Sequence, residues 1–254
     1  MACLDPLRLA SRVESEVYEP DGRARKYWRI RASRHYGGNV AGDVVGCNLR
    51  CAFCWAWRYA FNARPGFYLT PREAAARIAR AGPYRLARLT GGEPTIGWPH
   101  TRALADMLVG RGYEFVLETN GLLIGSDRID PGEIPRGMFV RISVKAPSKE
   151  SFEKVTGACG WAWDLQVRAL EKLLEAGFEP GRDFRAAVVL GVAPEREYSL
   201  FFEKLAGIDA RLVETMEPEY IVLYRHVVEL MSRRGFKPYL ALTPDGGVVR
   251  RGSR

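Results

Sequence analysis

Cys47, Cys51 and Cys54 stand at C-x3-C-x2-C spacing in the run Gly46-Cys-Asn-Leu-Arg-Cys-Ala-Phe-Cys-Trp55. Thiolates gathered on one loop hold iron–sulfur clusters or zinc. A cluster with cysteine ligands takes four of them, so three with no obvious fourth leave one iron without a protein ligand. Zinc is the rival, but a structural zinc site is closed by a fourth Cys or His. The His nearest in sequence are His35 and His100. The fold can bring a distant ligand in, so spacing alone leaves both metals open.

A second stretch, Gly91-Gly92-Glu93-Pro94, ends a predicted strand. The C-x3-C-x-aromatic-C loop, with Phe53 as the aromatic, followed by a GGE-type strand end resembles the radical S-adenosylmethionine (SAM) superfamily. The resemblance implies a [4Fe–4S] cluster on Cys47, Cys51 and Cys54, its fourth iron chelated by the amino and carboxylate groups of SAM. It also implies that reduction of the cluster cleaves SAM to methionine and a 5′-deoxyadenosyl radical, which abstracts hydrogen from a substrate. The cofactors carry that chemistry while the protein positions them. By the same resemblance, Gly91, Gly92 and Glu93 contact the SAM amino group through strand-end backbone and carboxylate. Phe53 offers backbone and ring to the adenine. Glu118, Thr119 and Asn120 are candidates for the ribose hydroxyls, with an ordinary Asn-Gly turn as the alternative. Lys145, beside Ser143, matches a strand-end Lys of the activating-enzyme branch and would meet the SAM carboxylate. Snorkelling to solvent is its alternative.

Those residues must be delivered by regular elements. Residues 40–45 read as the first barrel strand, with the cluster loop at its end. A strand at 26–32 is expected to cap one end of the barrel. Thr70-Pro71-Arg72-Glu73 is a capping box with Pro in the first turn, opening a helix to about Ala81. Strands follow at 84–90, 114–119, 139–145 and 184–190, alternating with helices at 99–110, 149–155, 163–176 and 195–206. On the helix at 163–176, Trp163, Val167, Leu170 and Leu174 form one apolar face and Gly177 a stop. Beyond these, a sixth strand is expected at 211–214, a helix at 219–234 and a terminal strand at 239–242.

Strands alternating with helices predict an α/β fold with a parallel sheet. Around six such units fit the partial (β/α)6 TIM-like barrel that the resemblance implies, with short N- and C-terminal extensions. The expected division is a basic extension over 1–38, the barrel over 39–235 and a C-terminal extension over 236–254. The motifs all fall where a strand stops, the functional end of such barrels. Period-2 alternation puts Arg141, Ser143 and Lys145 on one face and Val140, Ile142 and Val144 on the other. Arg88, Thr90 and Arg185 also alternate with apolar neighbours, so the interior gathers positive charge, and Arg141 is expected to pair with Glu118. Val188 and Val189 are read as core. His35, His100 and His226 are scattered and form no triad.

At 254 residues and 47% hydrophobic, the chain suffices for one well-buried domain. It has no apolar run of about 18 residues and no basic-then-apolar leader, which argues against a membrane span and secretion. Five Cys, three of them clustered, fit a reducing cytosol better than a disulfide framework, and Cys3 and Cys159 read as lone thiols. The net charge of +8 is uneven. Arg23, Arg25, Lys26, Arg29, Arg31 and Arg34 precede the cluster loop, and Arg250, Arg251 and Arg254 end the chain. They are either a solvated face or a docking surface for RNA or for a reducing protein of the flavodoxin or ferredoxin type.

Within the superfamily the chain looks most like the pyruvate formate-lyase activating-enzyme group. The likeness rests on one cluster motif, GGEP, Glu118-Thr-Asn-Gly121, and Ser143-Val-Lys145 followed by Ser151-Phe-Glu-Lys-Val-Thr-Gly157. It departs at Ser143, where an acid often stands. The first expectation is thus an oxidoreductase making a glycyl radical on a protein partner, in the cytoplasm. The second is RNA or tRNA modification, and a third, non-catalytic, is a zinc-stabilised RNA-binding module.

Overall fold

Asp5 starts the first helix: its carboxylate accepts from Leu7 N at 2.9 Å, and Pro6 takes the first position of α1 (Pro6–Val17). The computed structural model describes residues 3–251, with the side chain of His35 outside the description. β1 (Tyr18–Glu19) turns back into β2 (Ala24–Ser33), which runs antiparallel beside β3 (Asn39–Val44). The strand expected at 26–32 is therefore a sheet member flanking β3 and not a cap on a barrel end. After α2 (Trp57–Ala60), the short β4 (Phe67–Leu69) also pairs with β2.

From β3 onward the sheet is parallel. β5 (Leu86–Gly91), β6 (Glu114–Thr119), β7 (Met138–Val144), β8 (Phe184–Leu190) and β9 (Glu217–Tyr220) follow one another in sequence order. Helices lie between them: α3 (Pro71–Arg80), α4 (Trp98–Val109), the single turn α5 (Leu122–Gly125), α6 (Lys149–Thr156), α7 (Ala162–Glu175) and α8 (Glu195–Ile208). Thr70 and Glu73 form the expected capping box on α3. This is a partial (β/α)6 barrel, and every strand from β3 to β9 ends on the side of the cluster loop.

The last third departs from the sequence expectation. Residues 211–214 form a helical turn, α9 (Arg211–Glu214), and the sixth strand is β9 at 217–220. The helix expected at 219–234 is α10 (Arg225–Arg233). Glu217-Pro-Glu-Tyr220 carries no apolar alternation. Its alternating residues are acids, and they face arginine and lysine inside the barrel rather than an apolar layer. β10 (Leu240–Leu242) and β11 (Val248–Arg250) form a hairpin after α10. Tyr239 N donates to Gly191 O at 2.7 Å and Leu242 N to Ile221 O at 2.8 Å, which lays this hairpin over the ends of β8 and β9.

Cys3 and Cys159, expected as lone thiols, are joined in a disulfide across 156 residues of sequence. Leu4 N donates to Gly157 O at 2.9 Å and Cys159 N to Leu4 O at 2.8 Å, so the pairing continues a short backbone ladder. No sequence spacing announces such a contact, because it joins the front of α1 to the loop after α6. Among the described residues, no helix is long and apolar enough to cross a membrane.

His100 is fully buried on α4, with Nε2 2.7 Å from Tyr27 Oη and Nδ1 2.6 Å from Arg23 O. Burial, outweighing the carbonyl of Arg23, lowers its pKa from 6.5 to about 4. Below pH 6.5 the unfolded chain takes up a proton that the folded chain refuses until about pH 4. The contribution of this residue is therefore whole above pH 6.5 and drains away as pH falls to 4, by about 3 kcal/mol. Urea unfolding at pH 7 and pH 4.5 should show that loss, and His100→Gln should flatten the slope; an unchanged slope would place the acid sensitivity elsewhere.

Candidate active site

β3 is buried along its whole length, and its end turns through Val45 and Gly46 into the loop of Cys47, Cys51 and Cys54. Backbone bonds hold that loop from several sides. Gly46 N donates to Tyr59 O (3.0 Å), Arg50 N to Thr156 O (3.0 Å) and Ala52 N to Val155 O (2.7 Å). On the adjacent strand end, Gly92 N donates to Val44 O and Glu93 N to Gly46 O, both at 2.8 Å. A Cβ on Gly92 would lie 2.1 Å from Gly46 O, so only glycine lets the GGE strand end meet the cluster loop this closely.

Arg25, expected among the basic residues of a solvated or docking face, is instead internal. It is fully buried behind the loop, donating from Nε to Ile96 O (2.9 Å) and from Nη2 to Val45 O (2.6 Å). It thus braces both motif-bearing turns from inside, where burial lowers its pKa to about 10. Arg29 and Arg31 bond Asp43, whose side chain has no exposure. Of the basic run, Arg25 is therefore internal and Arg29 and Arg31 are tied to a buried acid, while Arg23 and Arg34 are exposed.

Glu93 is buried and turned into the scaffold. Oε1 accepts from Thr95 N (3.1 Å), Thr95 Oγ1 (2.6 Å) and Thr119 Oγ1 (2.6 Å), and Oε2 from Asn120 N (2.8 Å). Asn120 is equally engaged: its Nδ2 donates to Asn48 Oδ1 (2.7 Å) and its Oδ1 accepts from Leu122 N (3.1 Å). Glu118 accepts from Arg88 Nη1 at 3.0 Å and Tyr36 Oη at 3.3 Å. The side chains expected to reach the SAM amino group and ribose thus bond one another, and they fix the strand ends relative to the loop. Gln166, which the sequence reading passed over, joins this scaffold. Fully buried on α7, it donates to Asn120 O (2.6 Å) and Ser143 O (3.0 Å) and accepts from Lys145 N (3.1 Å). A glutamine on the otherwise apolar face of Trp163 and Val167 was the available signal.

Arg141, Ser143 and Lys145 project together into the barrel and meet acids of β9. Arg141 is bidentate to Glu217, at 3.0 and 2.8 Å, and lies 3.5 Å from Glu219 and 4.0 Å from Glu118. Ser143 Oγ donates to Glu219 Oε2 at 2.6 Å, and Lys145 Nζ donates to Ser143 Oγ. Glu219 supplies from another strand the acid absent at position 143. Burial works against the Lys145 charge, but Glu219 and then the Cys51 and Cys47 thiols outweigh it and hold its pKa above the ordinary value. For Glu219, burial is outweighed by Lys145 and Arg141, so its pKa is held down. Val188 and Val189 are core. His226 caps Trp55 O at 2.9 Å and stacks on Tyr224.

The donor set suits a cluster. Burial, followed by the neighbouring acid and thiol charges, pushes the Cys47 thiol up to about 12, and burial likewise raises Cys51 and Cys54. Such thiols ionise only with a cation bound among them. Arg50, whose Nη1 donates to Cys47 O at 2.6 Å, and Lys145 stand close enough to offset the negative charge. Among the described residues, no group of three or more His, Cys, Asp or Glu side chains is arranged to hold a single metal ion.

Residues 43–197 match the model of the Radical SAM superfamily, and this chain belongs to that superfamily. It is accordingly an enzyme whose cofactors are a [4Fe–4S] cluster and SAM. It is 41% identical over 80 residues to 7-carboxy-7-deazaguanine synthase of Hyperthermus butylicus, covering 32% of this chain and 33% of that one. It is 30% identical over 141 residues to the probable GTP 3′,8-cyclase of Saccharolobus solfataricus, covering 53% and 42%. The chain thus spans less than half the length of either relative. A spore photoproduct lyase variant shares the fold with a TM-score of 0.56 at 14% identity, over 96% of this chain and 77% of that one.

Proposed function

We propose that this enzyme holds its cluster on Cys47, Cys51 and Cys54, cleaves SAM there, and directs the radical at a small anionic, purine-class molecule inside the barrel. When bound, the reduced cluster supplies the electron that splits SAM. Lys145 binds the SAM carboxylate, the strand-end backbone of Gly91 and Gly92 faces the amino group, and Phe53, packed near Phe236, borders the adenine. Glu93, Thr119, Asn120 and Gln166 keep these groups in place. Glu118 and Ser143 anchor the cations of the interior.

The observation that carries the substrate class is the charge inside the barrel. Arg88, Arg141 and Lys145 have Glu118, Glu217, Glu219 and Ser143 as partners. Arg185 has only the ring of Phe139, at 5.7 Å, and its buried Nε has no hydrogen-bond partner. It borders a cavity of about 340 Å³ lined by Leu86, Glu114, Met138, Phe139 and Asp183, at the end where the strands begin and away from the cluster loop, so the cavity itself is not the substrate site. Counting Arg185, the interior holds four cations against the three acids Glu118, Glu217 and Glu219, a balance that favours one anionic group on the substrate. The two curated relatives are named for a carboxylated deazapurine and for GTP, which supports the same class. RNA modification is the second reading: Arg25 is buried and Arg29 and Arg31 pair with Asp43, but Arg23, Arg34 and Arg251 are exposed and keep a basic surface. For glycyl-radical activation, the site adds nothing to the motif likeness.

The test is 5′-deoxyadenosine formation by anaerobically reconstituted enzyme offered GTP, carboxylated purines, bulk RNA or candidate proteins. Stimulation by RNA or protein alone would overturn the proposal. Lys145→Ala should weaken SAM binding by about 3 kcal/mol, roughly a hundredfold in Kd, with iron content unchanged. Equal SAM affinity in the variant would remove Lys145 from the site.

A further inference from the structure

Exposed cations gather beside the cluster loop on α2 and α10, and Arg29 of β2 joins them 5.7 Å from the ring of Trp55, the residue after Cys54. Trp57, three residues beyond Cys54, donates its Nε1 to His226 O at 3.1 Å and so ties α10 to the loop. Two guanidiniums lie against its ring, Arg58 at 5.5 Å and Arg233 at 5.7 Å. Arg58 and Arg225 share Glu229, at 3.9 and 3.4 Å, and their side chains are 60% and 95% exposed. Arg234, also exposed, stands within electrostatic reach of Arg50, and Arg50 within reach of all three thiols. Arg58 and Arg233 therefore flank an indole at the exit of the cluster loop, with Arg225, Glu229 and Arg234 on or at the end of the same helix α10.

We propose that this face docks an acidic one-electron carrier protein, which reduces the cluster across Trp57 and the loop. The inference rests on the cluster being held by the three thiols. Two observations point to the partner. Electron tunnelling falls steeply with distance, so a donor must approach the thiols, and this face is where chain adjacent to Cys54 reaches the surface. Its charge is also predominantly positive, with Glu229 as the acid among Arg58, Arg225, Arg233 and Arg234, which steers an acidic protein and sets its orientation, and Arg beside a Trp is the composition of an interface hot spot. Single-stranded RNA would instead use aromatic faces bare for base stacking. Trp57 has guanidiniums beside its ring and Trp28 is stacked on Tyr59 at 4.1 Å, while the exposed Trp55 and Tyr224 at the edge of this face make an oligonucleotide the competing occupant that the test separates.

The experiment compares reconstituted parent, Arg58→Glu/Arg233→Glu and Arg225→Glu, with iron per chain measured first. Cluster bleaching is followed with a reduced acidic flavodoxin and, separately, with dithionite. The expected result is a fall of about tenfold or more in the flavodoxin rate at low ionic strength, closing towards the parent as salt screens the charges. Iron content and the dithionite rate should not change. Unchanged flavodoxin rates would overturn the proposal, as would an equal loss with dithionite. It would also be overturned if the variants kept the flavodoxin rate and lost only affinity for a single-stranded oligonucleotide, since the face would then serve RNA. Absence of iron in the parent would instead refute the ligand assignment, a separate outcome.

Discussion

Cys51→Ala should yield a folded protein without a cluster. Cys51 is the buried member of the three, and its loop is held by backbone bonds from Arg50 and Ala52 to the end of α6 that the substitution leaves in place. Loss of one sulfur from a core position costs on the order of 1 kcal/mol. The consequence for the cluster is far larger. In the proposed assignment three thiolates leave one iron for SAM to complete; with two, a second iron would have no ligand from the chain. Iron per chain after anaerobic reconstitution should fall to near background, and 5′-deoxyadenosine formation should vanish, while far-ultraviolet circular dichroism stays that of the parent. Cys47→Ala and Cys54→Ala should behave alike. A Cys51→Ala protein that kept full iron and cleaved SAM would show that this loop is not the ligand set.

Cys3→Ser should do the reverse: large for stability, small for iron. The disulfide closes a loop of 156 residues, more than half the chain. In the chain-entropy account, opening it frees the unfolded state by about 5 kcal/mol, the upper end of what such bonds contribute. The urea midpoint should drop sharply, and the parent under strong reductant should drop to match. Iron and SAM cleavage should persist below the new midpoint, because Leu4 still pairs with Gly157 and Cys159 through backbone, and Thr156 and Val155 still hold the cluster loop. An unchanged midpoint would mean that the thiols are not joined in solution. Lost iron would mean that the bridge supports the loop directly.

The sequence by itself determined the superfamily and most of the sheet. Cys47, Cys51, Cys54 and the Gly91-Gly92 turn are legible because both motifs are local: the loop geometry they need is set within a few residues. The capping box at Thr70 and the alternation that sends Arg141, Ser143 and Lys145 inward are local in the same way. Tertiary structure alone decided who partners these groups. Glu217 and Glu219 reach Arg141 and Ser143 across 76 residues of sequence, on a strand that no apolar alternation announces. Arg25 looks like a surface cation until Ile96 and Val45 are seen to offer their carbonyls from two other elements. Glu93 has the same carboxylate whether it faces a ligand or Thr119; the packing of β5 beside β6 turned it inward. The division follows from range. Backbone preference and side-chain period act over one or two turns of chain, whereas the direction of a buried charge depends on which distant group can satisfy it.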